Sequence, residues 1–76
     1  MKQRLYHAAI KKFEADRDSA IAILSVYLNQ AVGIGEHPDL VEIITEQTKK
    51  LAEAEEAIST LIKYEDKFWL SINQNY

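Results

Sequence analysis

The stretch Gly33-Ile34-Gly35-Glu36-His37-Pro38 decides how this chain folds. It holds both glycines and the single proline of a 76-residue sequence. Long runs of helical periodicity flank it on either side. Glycine just past one helix and proline just inside the next are stop and start signals. The chain therefore reads as two helices turned back on each other around this corner. Val32 ends the first run. Gly33 suits the left-handed position past a helix end, where a β-carbon would clash. Ile34 folds back on the last turn, and Gly35 frees a second backbone position. Pro38 fits the first helical position, where a missing N–H costs nothing. Asp39 and Glu42 fall in the first turn, favourable to the helix dipole. His37 or Glu36 is left as N-cap, and neither is a preferred capping residue.

Before the corner, Tyr6, Ile10, Phe13, Arg17, Ala20, Leu24, Tyr27 and Ala31 recur at alternating steps of four and three. This is the heptad spacing of a helix–helix seam. Lys11, Lys12, Glu14 and Asp18 supply a solvated opposite face. The spacing predicts a helix over about residues 2–32, about 45 Å long at 1.5 Å per residue. Arg17 interrupts the stripe between Asp16 and Asp18. It reads as a snorkelling arginine with a carboxylate partner, or as a registry device or anion site in an oligomer core. From Ala20 to Leu28 only Ser25 is polar. Alternation there also suits a strand, but the unbroken heptad and the lack of a turn signal keep it helical. A helix apolar most of the way round is buried most of the way round. One partner helix covers one stripe, so Ile21, Val26 and Leu28 call for a second surface, most simply another copy of the chain.

After the corner, Leu40, Ile44, Gln47, Leu51, Ala54, Ile58, Leu61, Glu65, Phe68 and Ile72 repeat the pattern. They predict a second helix over about 38–72, with a candidate break near 64–67. Folding about the corner pairs seam positions whose numbers sum to about 71. Tyr27 then meets Ile44, Ala20 meets Leu51, Phe13 meets Ile58 and Ile10 meets Leu61. Arg17 falls opposite Ala54, with room to reach Glu55 as a buried ion pair. The second run outlasts the first, so Phe68 and Trp69 at the open end await cover from a neighbouring chain. The expected architecture is all-α: an antiparallel two-helix hairpin of one domain, corner at 33–37. It self-associates into a four-helix bundle or larger helical oligomer.

The composition narrows the function. Absence of cysteine removes disulfides, thiolate catalysis and cysteine–zinc sites, and fits a reducing compartment. A net charge of −3 argues against nucleic acid as a partner. No basic-then-apolar leader opens the chain, and no apolar run approaches the roughly 20 residues of a membrane span. These features point to a cytoplasmic protein with no membrane role. No carboxylate pair, Ser-His-Asp set or His-x-x-x-His spacing is present, so no catalytic residue, cofactor or metal is assigned. The corner lacks the strand and the G-K-[ST] of a phosphate loop. One histidine, His37, with Glu36, Asp39 and Glu42 makes a weak metal pattern beside plain capping.

One constellation converges. The hairpin brings Lys2, Arg4, Tyr6 and His7 to the same pole as Tyr64, Phe68 and Trp69. Cations beside aromatic planes suit a nucleotide or other small anionic ligand. The competing reading is an oligomer contact with a solvated basic rim.

Tyr27-Leu28, the corner Val32-Gly33-Ile34-Gly35-Glu36-His37-Pro38-Asp39, and Leu51-Ala52-Glu53-Ala54-Glu55 together resemble small uncharacterised proteins of marine tailed bacteriophages, especially those infecting cyanobacteria. The resemblance covers roughly residues 24–61. It implies an accessory or virion-associated phage protein and carries over no functional residue. The function expected is interaction or structure without catalysis, its partner a second copy or a phage or host protein, including a host protein inhibited by an amphipathic face.

Overall fold

A computed structural model describes residues 2–29 and 38–73 as three helices: α1 (Lys2–Asn29), α2 (Pro38–Lys63) and α3 (Glu65–Asn73). The described residues include no strand. The expected corner at 33–37, its caps and the last turn of the first helix lie outside the described residues. α1 packs along α2. Tyr6 lies beside Leu61 and Glu65, while Ala20 shares a hollow with Gln47 and Ala54, so the two helices run antiparallel.

The seam follows the heptad residues. Ala20 and Ala54 are 1% and 3% exposed, and Tyr6 is 9% exposed. Two alanines let the helix axes come close at mid-length, which larger side chains would prevent. Ile10, Phe13, Leu24, Ile44, Leu51, Ile58 and Leu61 are only half-buried. Among the described residues no large side chain is fully buried.

The helical run is interrupted at Tyr64. Its N–H donates to the Thr60 carbonyl at 3.1 Å, and its own carbonyl accepts from Lys67 at 3.0 Å and Phe68 at 3.3 Å. The i−3 and i−4 bonds shared at that carbonyl carry the ladder past the interruption. A cause is at hand one turn earlier. The Tyr6 hydroxyl donates to the Leu61 carbonyl at 3.2 Å. A side chain inserted at a helix carbonyl competes with the N–H four residues on, a recognised origin of kinks. That N–H belongs to Glu65, the first residue of α3. Beyond Tyr64, Trp69 is half-buried while Phe68 is exposed, so Trp69 takes the covered place that the heptad gives to Phe68.

The hairpin is a single layer of two helices, 64 × 15 × 14 Å. Its radius of gyration is 17.7 Å, against about 11 Å for a compact domain of this length. Its accessible surface is 6162 Å² for 8.7 kDa. Size scaling gives about 4,700 Å² for a folded monomer of that mass. The hairpin thus carries an excess of roughly 1,500 Å² of surface over a normal globular chain.

Candidate functional site

The pole predicted from the sequence is built around Tyr6. Its ring centroid lies 5.7 Å from Trp69, 6.3 Å from Phe68 and 5.6 Å from His7, each in an edge-on or tilted arrangement. Phe68 and Trp69 meet edge-to-face at 6.5 Å. Such T-shaped contacts place a positive ring edge against a negative ring face. The Tyr6 hydroxyl lies 3.1 Å from Glu65 Oε1 and shares its one proton between that carboxylate and the Leu61 carbonyl. Burial, then the Glu65 hydrogen bond and the Glu65 charge, push the Tyr6 hydroxyl above its ordinary pKa of 10.0.

This geometry changes the reading of the pole. Tyr6, Phe68 and Trp69 contact one another with the Glu65 carboxylate beside them, while Phe68 and Tyr64 stay exposed. Lys2 and Arg4 are exposed at its edge. A phosphate brought to the Tyr6 hydroxyl would meet the Glu65 carboxylate. The cluster joins α3 to α1. Glu65 is the member that the sequence analysis placed only in the seam, though its number and that of Tyr6 sum to 71. On the outer side, the ammonium groups of Lys63 and Lys67 lie 5.4 and 5.7 Å from the Tyr64 ring, at cation–π distance.

The expected Arg17–Glu55 buried pair takes a different form. Arg17 Nε donates to Asp18 Oδ1 at 3.0 Å, and the Arg17 side chain is 34% exposed. The Asp18 hydrogen bond and charge raise its pKa further, with a smaller contribution from Glu55. Glu55 itself is exposed. The reason is the single layer: with no second layer to exclude water, the nearest carboxylate in sequence captures the guanidinium, at little gain in stability.

Of the five residues expected at an oligomer contact, Ile21, Val26, Leu28 and Phe68 are exposed and Trp69 is half-buried against Tyr6, and the three on α1 do not share a face. Ile21 and Leu28 are 46% and 55% exposed and lie one heptad apart on the same flank of α1. Val26 stands roughly 140–160° around the helix from them. Ile10, Arg17 and Leu24 adjoin Ile21 and Leu28, and Ile44, Leu51, Ile58 and Ile62 run beside them on α2. Together they make a largely apolar face along the hairpin, which Glu14, Arg17, Thr48 and Glu55 interrupt, with Ile62 exposed as well.

The opposite face carries two adjoining hollows of about 420 and 500 Å³ that share Phe13 and Glu53. Small residues open them: Ala9 and Ala57 in one, Ala20 and Ala54 in the other. The sequence reading missed this face; its signal is the run of alanines beside Phe13. Asp16, Lys50 and Glu53 line its polar part. Among the described residues no group of three or more His, Asp or Glu side chains is placed to hold a metal. No described helix is long and apolar enough to cross a membrane. Comparison with protein-family models, curated proteins and solved structures gives no match.

Proposed function

We propose that the chain is a non-enzymatic interaction or structural protein that works as a homo-oligomer, most simply a dimer forming a four-helix bundle. The observation that carries this reading is the excess of surface. A hairpin with only Tyr6, Ala20 and Ala54 buried among its described residues leaves Ile21, Leu28, Val41 and Ile62 in water. A second layer of helices would cover one face. That face, at 64 × 15 Å, measures on the order of 1,000 Å², comparable to the roughly 800 Å² each partner gives to a standard interface. Two-helix hairpins that pair in this way gain the core that neither has alone.

The reading as non-enzymatic rests on the chemistry available. The sequence has no cysteine. Its histidines, His7 and His37, fall at opposite ends of the expected hairpin. The polar group drawn into the aromatic cluster, Glu65, is engaged in holding Tyr6.

Mass action gives the test. The thermal midpoint of the helical signal should rise by about 3–5 °C for each tenfold increase in chain concentration, because dissociation accompanies unfolding. A midpoint independent of concentration over two decades contradicts the reading.

A further inference from the structure

We propose that two hairpins pair through the Ile10–Leu28 flank with like ends together, their two-fold axis running along the hairpin, so that Arg17 of each copy meets the partner's Glu55. This rests on the homo-oligomer reading and specifies its geometry.

The argument begins with two stripes. On α1, residues 10, 14, 17, 21, 24 and 28 step by four and three. On α2 and α3, residues 44, 48, 51, 55, 58, 62, 65 and 69 do the same. Both lie on the face away from the two hollows, which are lined from Phe13, Ser19 and Ile23 on α1. A two-fold axis along the hairpin lays α1 of one copy over the partner's α2, antiparallel, at the same height. Heights match where numbers sum to 71–72, the register seen within the hairpin at Tyr6 and Glu65. Leu28 then meets the partner's Ile44, Ile21 meets the partner's Leu51, and Ile10 meets the partner's Ile62. These three layers are apolar on both sides, while the same register sets Leu24 against the partner's Thr48 and Glu14 against the partner's Ile58. Arg17, the basic member of the α1 stripe, meets the partner's Glu55, the acidic member at the same height. Within one hairpin Arg17 is held by Asp18 and only feels Glu55. A second layer excludes water and adds a carboxylate at the height of Arg17.

The alternative two-fold, across the hairpin, lays α1 over the partner's α1 with opposite ends together. It brings Glu55 against the partner's Glu55 and Ile44 against the partner's Glu65. Like charges then face each other where the like-end pairing sets Arg17 against Glu55, which is unfavourable. Charge complementarity therefore selects the like-end pairing. Arg17 then acts as a register device, since a slip of one heptad sets it against the partner's Thr48 or Ile62.

Charge-swap mixing tests this. Arg17→Glu and Glu55→Arg should each weaken self-association by about ten- to a hundredfold in the full chain. Mixed in equal amounts, the two variants should recover near-original affinity as a heterodimer. The glutamate introduced at position 17 of one chain then meets the arginine introduced at position 55 of the other, and the second contact keeps the original Arg17 and Glu55. A pair within one chain cannot be rescued by mixing, so recovery is specific to contact between copies. A nitroxide on Arg4→Cys, in a chain with no other cysteine, reads the direction. Like-end pairing gives a spin–spin distance below about 25 Å, from helix spacings of 8–10 Å. The opposite-end pairing gives more than about 35 Å at 1.5 Å rise per residue. A dimer with the long distance, or one that mixing does not restore, overturns the geometry and leaves self-association standing. A chain that stays monomeric without substitution overturns both.

Discussion

Replacing Ile21 and Leu28 together by glutamate is expected to abolish self-association and leave a monomer that is weakly helical or unfolded. The two residues share one flank of α1 and are half-exposed in the lone hairpin, so the substitution leaves the intramolecular seam of Tyr6, Ala20 and Ala54 intact. In the paired state each new carboxylate is moved from water into an apolar layer, and Arg17, one turn from position 21, is already engaged by Asp18. Such burial costs at least about 1 kcal/mol for each group even after relaxation, and a dimer holds four of them. A loss of about 4 kcal/mol corresponds to a thousandfold in dissociation constant. Val26→Glu provides the control. Val26 is as exposed as Leu28, but it faces away from the stripe, and its replacement should leave the measured mass unchanged. A folded dimer persisting in the double variant, by light scattering, shows that the interface lies elsewhere.

Truncation of Tyr6 to alanine should have the largest effect of any single seam substitution. Its ring touches Trp69, Phe68 and His7, and its hydroxyl holds Leu61 and Glu65. Removing a buried aromatic of this kind costs about 3 kcal/mol. It should also free α3 from α1, which the emission of Trp69 reports as a red shift. Tyr6→Phe keeps the ring contacts and removes only the hydroxyl, at about 1 kcal/mol. The two variants also differ from the parent in alkali. The fold raises the Tyr6 pKa, so the protonated hydroxyl is favoured in the folded state. That stabilisation is fully present below pH 10.0, the ordinary value, and is lost as pH rises through the raised one. The parent should therefore lose stability above that point faster than Tyr6→Phe, in which the other tyrosines remain. Identical alkaline limbs, followed by circular dichroism, would show that the hydroxyl carries no such linkage.

How much of this was legible in the sequence follows from where the physics is local. The periodicity of three and four gives both helices and their antiparallel packing, because an apolar stripe must be buried wherever it runs. Pro38 opens α2, where its fixed φ suits a first helical turn. The register sets Ala20 opposite Leu51 and Ala54 opposite Arg17, and only the structure shows the two alanines as the most covered points of the seam. The pole was legible as a gathering of Tyr6, His7, Phe68 and Trp69, but its chemistry was not. Rings stacking edge-on upon each other and a Glu65 carboxylate bonded to Tyr6 depend on side-chain directions that spacing does not encode. Arg17 failed for a related reason. Its position opposite Ala54 and Glu55 is set by the register, but its partner is decided by water, and in a single layer the adjacent Asp18 wins. Val26 shows the limit of reading an apolar run without its phase: it is as apolar as Ile21 and points elsewhere.

The most direct test of the central claim is sedimentation equilibrium of the unmodified chain at micromolar concentration and near-physiological salt. The account predicts a mass of at least twice 8.7 kDa, shifting toward a single chain on dilution together with loss of helical signal. A fully helical species with the mass of one chain at every concentration would contradict it, because the lone hairpin would then be stable with its apolar face in water.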